Sequence, residues 1–154
     1  MMDNKFNRIY LKLYDNFGKQ HWWPARTKLE IIVGTVLTQN TSWKGVEKAI
    51  INLIKNRLLS LKSISNVDVS KLANLIKPAG YFNLKAKRLK NLIEFFKQNY
   101  KGSLVNAKGI KTPKLRQKLL IINGIGPSTA DSIILYAFMR PIFVVDAYTK
   151  RIFS

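Results

Sequence analysis

The sequence predicts an all-α fold, and three observations carry that expectation. Apolar residues recur at three- and four-residue spacings, as in Phe6, Ile9, Tyr10, Leu13, Tyr14 and Phe17. Strand-like alternation is absent apart from a few residues before Asp146. Glycine and proline punctuate the apolar stretches where helices should end and begin, most clearly at Asn123-Gly124-Ile125-Gly126-Pro127.

Taken in order, the first helix covers residues 4–18 and ends at Gly18. Lys19-Gln20-His21-Trp22-Trp23-Pro24 follows. Two adjacent tryptophans cannot both face one core direction from a regular helix, and Pro24 suits the first turn of the next one. One reading makes the pair a staple for this corner of the core; the other exposes a ring to a cavity, where it stacks on a flat ligand. Residues 25–38 form an apolar helix. Gly34 in its middle costs about 1 kcal/mol against Ala, so a neighbouring backbone is expected to pack closely there. Gln39-Asn40-Thr41-Ser42 ends this helix and caps another over roughly 43–59, with Val46, Ala49, Ile50, Leu53 and Ile54 inward.

Leu61–Val67 reads as a connector and Val69–Ile76 as a short helix ending before Lys77-Pro78-Ala79-Gly80. A longer helix runs from about Asn83 to Tyr100, with Leu84, Leu89, Leu92, Ile93 and Phe96 inward. Its outward face holds Lys85, Lys87, Arg88, Lys90 and Lys97. Gly102–Thr112 is a loop, and Pro113 begins the helix that enters the hairpin.

A chain of 154 residues holds one domain with a real core, or one domain and part of another. Lys and Arg total 27 against 8 acids, a formal charge of +19. Such a surface draws a polyanion, with nucleic acid ahead of an anionic membrane or a mere codon bias toward lysine. The absence of cysteine excludes a disulfide framework and a cysteine metal site within these residues. No apolar run approaches the roughly 18–20 residues that span a bilayer, and the N-terminus has no uninterrupted signal core. The expected location is the cytoplasm, in association with the nucleoid.

Leu115–Asp146 organises the chain. Gly124 and Gly126 allow a tight turn, with positive φ where it is needed. The free N–H groups of Gly126 and its neighbours then sit at the positive end of the next helix, which Pro127 opens. The result is a phosphate site that reads backbone rather than sequence, set against the plainer reading of a glycine-turned αα-hairpin. Asp146, after the extended run Ile142–Val145, is expected to cap a final helix. A carboxylate there, beside apolar residues, can also stabilise a sugar oxocarbenium ion or orient an attacking water.

The run Leu119–Phe153 resembles the helix-hairpin-helix motif and catalytic Asp segment of the endonuclease III superfamily of DNA base-excision glycosylases. Glu30–Val46 resembles that superfamily's helix ending in a Leu-x-x-Gln loop, and Trp22-Trp23-Pro24 with Leu37-Thr38-Gln39-Asn40-Thr41-Ser42-Trp43 is similar to its bacterial 3-methyladenine glycosylase branch. The resemblance covers nearly the whole chain from Trp22 onward. It implies a helix-hairpin-helix glycosylase fold with a six-helix core domain over residues 21–154, the hairpin motif at 115–138. Residues 1–20 would supply the N-terminal helix of a second, incomplete domain. Family members continue past the Asp helix, and many carry an iron–sulfur cluster there. The chain stops at Ser154, so a C-terminal truncation is expected; no cofactor is expected within these residues, and a cluster in a longer version stays open.

The resemblance also assigns roles. Asp146 takes the catalytic carboxylate position. Asn123, Gly124, Ile125, Gly126 and Ser128 belong to the DNA-binding hairpin, Gln39 is the loop residue pushed into the duplex where the base leaves, and Trp22, Trp23, Pro24 and Trp43 line the flipped-base pocket. Bifunctional members carry a lysine nucleophile two residues after the last hairpin glycine; Ser128 stands there, so no Schiff base and no lyase step follow by that route. The implied function is a monofunctional glycosylase, acting as a monomer on damaged double-stranded DNA, with alkylated purines, 3-methyladenine first, as substrates. Another lesion or mismatch, or a non-catalytic DNA-binding remnant, are the alternatives.

Overall fold

The computed structural model describes residues 5–20 and 22–153; residue 4 of the first predicted helix, His21 and Ser154 lie outside them. The described residues form helices joined by short turns, with no strand among them. The helices are α1 (Lys5–Phe17), α2 (Lys28–Leu37), α3 (Trp43–Lys55), α4 (Leu61–Asn66), α5 (Val69–Leu75), α6 (Phe82–Tyr100), α7 (Thr112–Leu120), α8 (Pro127–Ser132) and α9 (Ala147–Phe153). Short 3-10 turns occupy Lys77–Ala79 and Asn106–Gly109, and α8 continues as a π-helical turn over Ile133–Ala137.

The core gathers around α2, in which every residue from Ile32 to Leu37 is buried. The helices α3, α6 and α8 with its π-turn pack on it. Their inward residues, among them Val46, Leu53, Leu89, Leu92, Ile93, Phe96, Ile133 and Ile134, are essentially inaccessible. Each such aliphatic or aromatic side chain contributes about 1.5–3 kcal/mol by leaving water. By contrast α1 buries none of its residues, and its Phe6 touches Phe153 of α9 with ring centroids 5.2 Å apart.

Several expectations need correcting. α3 ends at Lys55, four residues early, where Arg57 adopts a left-handed φ of 55° and Leu58 N–H turns back to the Leu53 carbonyl. The predicted connector at Leu61–Val67 is mostly α4: Ser60 and Ser63 bond each other's backbone N–H in a capping box. The stretch before Asp146 has no regular secondary structure and pairs with no strand among the described residues. Gly34 admits a side chain, not a backbone, since a Cβ there would lie 2.8 Å from Cζ2 of Trp23.

The basic face of α6 is not simply solvated. Lys85 is buried, its Nζ donating to the carbonyls of Leu37 (2.9 Å) and Ala79 (2.6 Å). Lys90 is half-buried and donates to the Ser65 (2.7 Å) and Val67 carbonyls around the end of α4, where a cation suits the helix C-terminus. Leu84, expected inward, is about half exposed. The inward stripe is 85, 89, 92 and 96, and it took in a lysine that residue type alone assigned to water.

Candidate active site and nucleic-acid interface

The hairpin between α7 and α8 turns at Gly124, whose φ of 91° favours glycine. Gly126 has an ordinary φ of −87°, so the turn itself does not demand glycine there. A Cβ on Gly126 would meet nothing within 4 Å, and its N–H donates to none of the described residues. Ile125 is buried and pins the tip, with its N–H on the Ile122 carbonyl at 3.0 Å. Asn123 and Gly126 are exposed and Ser128 is half-buried in the first turn of α8. The two hairpin helices are joined by a bidentate ion pair, Arg116 Nε and Nη2 to the buried Asp131 carboxylate at 2.6 and 3.0 Å.

Gln39 turns toward the hairpin. Its Nε2 donates to the Gly124 carbonyl (3.1 Å) and to Thr129 Oγ1 (3.0 Å), and its Oε1 accepts from Arg88 of α6. Next to it, Asn40 holds a left-handed φ of 50° on the exposed loop. Across from that loop, Tyr81 holds a left-handed φ of 45° with its ring exposed, and a Cβ on the preceding Gly80 would lie 3.9 Å from Thr41 Oγ1. Two non-glycine residues in this region, on facing loops, are backbone strain gathered at one place on the surface.

Asp146 caps α9: Oδ1 accepts from Thr149 N–H at 2.8 Å and Thr149 Oγ1 at 2.9 Å. Oδ2 accepts from none of the described residues, and the side chain is half-buried. Tyr136, on the π-turn, packs against the tryptophans. Its ring is 5.3 Å from that of Trp23, and Trp23 meets Trp43 edge-on at 5.6 Å. Burial, and next the negative charge of Asp146, push the Tyr136 phenol above its ordinary value. Trp23, Pro24 and Trp43 line a groove of about 400 Å³ between α2 and α3, with Gly34, Glu30 and Glu47. Trp22 is 72% exposed and does not line it. Trp23 therefore acts as a packing element and a groove wall together.

The structure thus brings Gln39 onto the hairpin and Trp23, Pro24 and Trp43 into one groove, with the Tyr136 ring packed on Trp23. Sequence reasoning missed Tyr136, Tyr81 and Arg88. A single tyrosine on an apolar helix carries no signal, and the π-turn that redirects it is invisible in a 3.6-residue period. No group of three or more His, Cys, Asp or Glu that could hold a metal exists among the described residues, and with no thiolate the chain offers no ligand set for a cluster.

Residues 33–154 match a family model described as HhH-GPD superfamily base excision DNA repair protein. Over its full length the chain is 57% identical to a protein of Methanocaldococcus jannaschii whose name assigns it to the DNA repair glycosylases, and it spans 72% of that protein. A solved structure of H. pylori 3-methyladenine DNA glycosylase bound to 1,N6-ethenoadenine is similar, with a TM-score of 0.77 at 35% identity, covering 93% of this chain and 67% of that one. A non-covalent endonuclease III–DNA complex has a TM-score of 0.80 at 21% identity, covering 99% and 69%, a likeness of fold.

Proposed function

The chain belongs to the HhH-GPD superfamily of base excision DNA repair proteins, and from that premise we propose that it hydrolyses the N-glycosidic bond of alkylated purines, 3-methyladenine first, in duplex DNA. The observation that carries the reading is the aromatic cluster Tyr136–Trp23–Trp43, whose tyrosine feels the charge of Asp146, a carboxylate with one oxygen that accepts from none of the described residues. An N3-alkylated adenine is flat, electron-poor and cationic, so it gains from stacking and cation–π contact. The H. pylori relative's structure, which holds a modified adenine, supports the same class.

In the proposed reaction the damaged nucleotide leaves the stack, which costs less for a damaged base. The exposed amide of Gly126 holds a backbone phosphate, since Ile125 N–H is taken by the Ile122 carbonyl and Pro127 has none. The C1′–N bond breaks, its electron pair leaving with the cationic base, which departs neutral. Asp146 stabilises the oxocarbenium charge on the sugar; water adds to C1′ and gives up one proton, leaving an abasic site. Ser128 supplies no amine, so no Schiff base forms at that position and the strand stays uncut by that route.

The test is release of free base from a panel of single-lesion duplexes by chromatography, with strand scission scored separately. Release of 3-methyladenine ahead of oxidised and mismatched bases, with an intact abasic strand, is the expected result. Preference for an oxidised or mismatched base would overturn the substrate class, and duplex binding with no product on any lesion would favour a DNA-binding module.

A further inference from the structure

The Gln39 side chain is expected, from the family resemblance, to enter the duplex, yet all of its amide bonds go inward. Two reach the hairpin, across 85 and 90 residues of sequence, and the third comes from Arg88. Arg88 itself lies against the turn. A Cβ built on Gly124 would sit 2.3 Å from Arg88 Cγ, 2.8 Å from Cδ and 2.9 Å from Nε, so the arginine stem fills the space that a side chain at Gly124 would need. One turn further along α6, Asn91 Nδ2 donates to the Asn123 carbonyl at 3.3 Å. Two α6 side chains on one face thus hold two consecutive hairpin residues.

Arg88 is also an odd choice for packing alone. Its Nε is buried without a hydrogen-bond partner, and the guanidinium meets no carboxylate among the described residues. Its neighbour one turn back is the buried Lys85, another cation that meets no carboxylate among the described residues. An apolar side chain of equal length would fill the same space with no orphaned donor. What it would lose is the Nη1–H that fixes the Gln39 amide with Oε1 toward α6 and Nε2 toward the hairpin.

We propose that Arg88 is a positioning residue for the hairpin: with Gln39 it forms a buttress that holds the phosphate-binding turn in its working shape before DNA arrives. This rests on the reading of the hairpin as a phosphate clamp. Backbone amides bind a phosphate only where they point, so a buttress on the far side of Gly124 sets the geometry that a flexible glycine turn cannot set alone. Entry of Gln39 into the duplex would break all three of these side-chain hydrogen bonds.

The experiment measures binding of an undamaged and an abasic-analogue duplex over a salt series, with backbone amide NMR of the hairpin. The variants are Arg88→Met, Arg88→Lys, Gln39→Ala and the Arg88→Met/Gln39→Ala pair. Each of Arg88→Met and Gln39→Ala is expected to weaken both duplexes by about fivefold, near the worth of one hydrogen bond. The pair should be no weaker than the poorer single variant, because both remove one element. The Gly124, Ile125 and Gly126 amide signals should shift in each variant, and the salt slope should stay that of the wild type. Rescue by Arg88→Lys, or a salt slope lower by about one in Arg88→Met, would make Arg88 a direct phosphate contact and overturn the buttress. Additive effects or unmoved hairpin amides would overturn it too. Should Arg88→Met not fold, Arg88→Gln takes its place in the same comparison. If wild type binds DNA and its hairpin amides ignore the titration, the clamp reading falls first and takes the buttress with it; if they respond and the variants match wild type, the buttress alone falls.

Discussion

Ile125, at the tip of the hairpin, is buried, and the turn around it is held by Gln39, Arg88 and Asn91. Val145, one residue before Asp146, is half exposed. Among the described residues the irregular run 142–145 receives a single hydrogen bond, from Thr149 Oγ1 to the Val144 carbonyl at 3.2 Å. The two halves of the proposed site are held in opposite ways, and the chemistry of each explains why. Backbone amides cannot re-aim, so a site built from them must be fixed from behind. A carboxylate on a short side chain is aimed by the helix it caps, and the chain leading to it needs little support of its own.

The largest expected effect separates chemistry from binding. Asp146→Asn keeps a good N-cap, because Asn accepts the same Thr149 bonds, so the fold should persist. It removes the negative charge that the proposed transition state needs. Base release should fall by about a hundredfold or more while duplex affinity stays within about twofold. Equal release by variant and wild type would end the role assigned to Asp146. On the hairpin side, Arg116→Met leaves the buried Asp131 carboxylate without its bidentate partner. Removing one member of a fully buried pair costs about 3–5 kcal/mol, and the partial exposure of Arg116 lowers the expected loss to about 2–3 kcal/mol. Chemical denaturation measures it. A loss under about 0.5 kcal/mol would mean that the hairpin helices hold their angle by apolar packing alone.

The helical skeleton was legible because its apolar period is regular: α1, α2, α5 and α6 fall within a few residues of the spans their spacing predicts. So were the glycine turn and the Asp146 cap, where residue type and local geometry agree. The failures share a cause. Lys85 lies on the stripe it forms with Leu89, Leu92 and Phe96, but its charge argued against the position its spacing required. The Ser60 capping box was hidden because Ser63 stands where glutamate usually does. Tyr136 and Arg88 act through contacts distant in sequence, Trp23 and Gln39, which no local pattern encodes.

The two hairpin glycines allow a finer division within the clamp. Gly124→Ala meets a left-handed φ and the Arg88 stem together. The conformation alone costs about 1–2 kcal/mol, so both the thermal midpoint and duplex affinity should fall. Gly126→Ala meets neither obstacle, and its stability should change by less than about 0.5 kcal/mol. Its added methyl would stand at the open face where a phosphate approaches, so affinity should still fall. If Gly126→Ala binds as wild type does, the phosphate does not sit over that amide.

The smallest effect concerns Lys85, which bonds the Leu37 carbonyl two residues before Gln39 and so supports the loop behind the clamp. Desolvation by burial, and then repulsion from Arg88, bring its ammonium down from the usual 10.5 to about 8. Below about pH 8 the lysine is charged in folded and unfolded chains alike, and the full cost of burying it is present. Between about 8 and 10.5 the folded protein has released a proton that the unfolded chain still holds, so this group makes stability rise with pH. Other lysines and the tyrosines titrate nearby, so the measurement is the difference in thermal midpoint between wild type and Lys85→Met. That difference should grow in favour of wild type across the window, as the burial penalty present only in wild type is relieved. Parallel profiles would mean that water reaches the Lys85 ammonium, and the support behind the hairpin would then be looser than its hydrogen bonds imply.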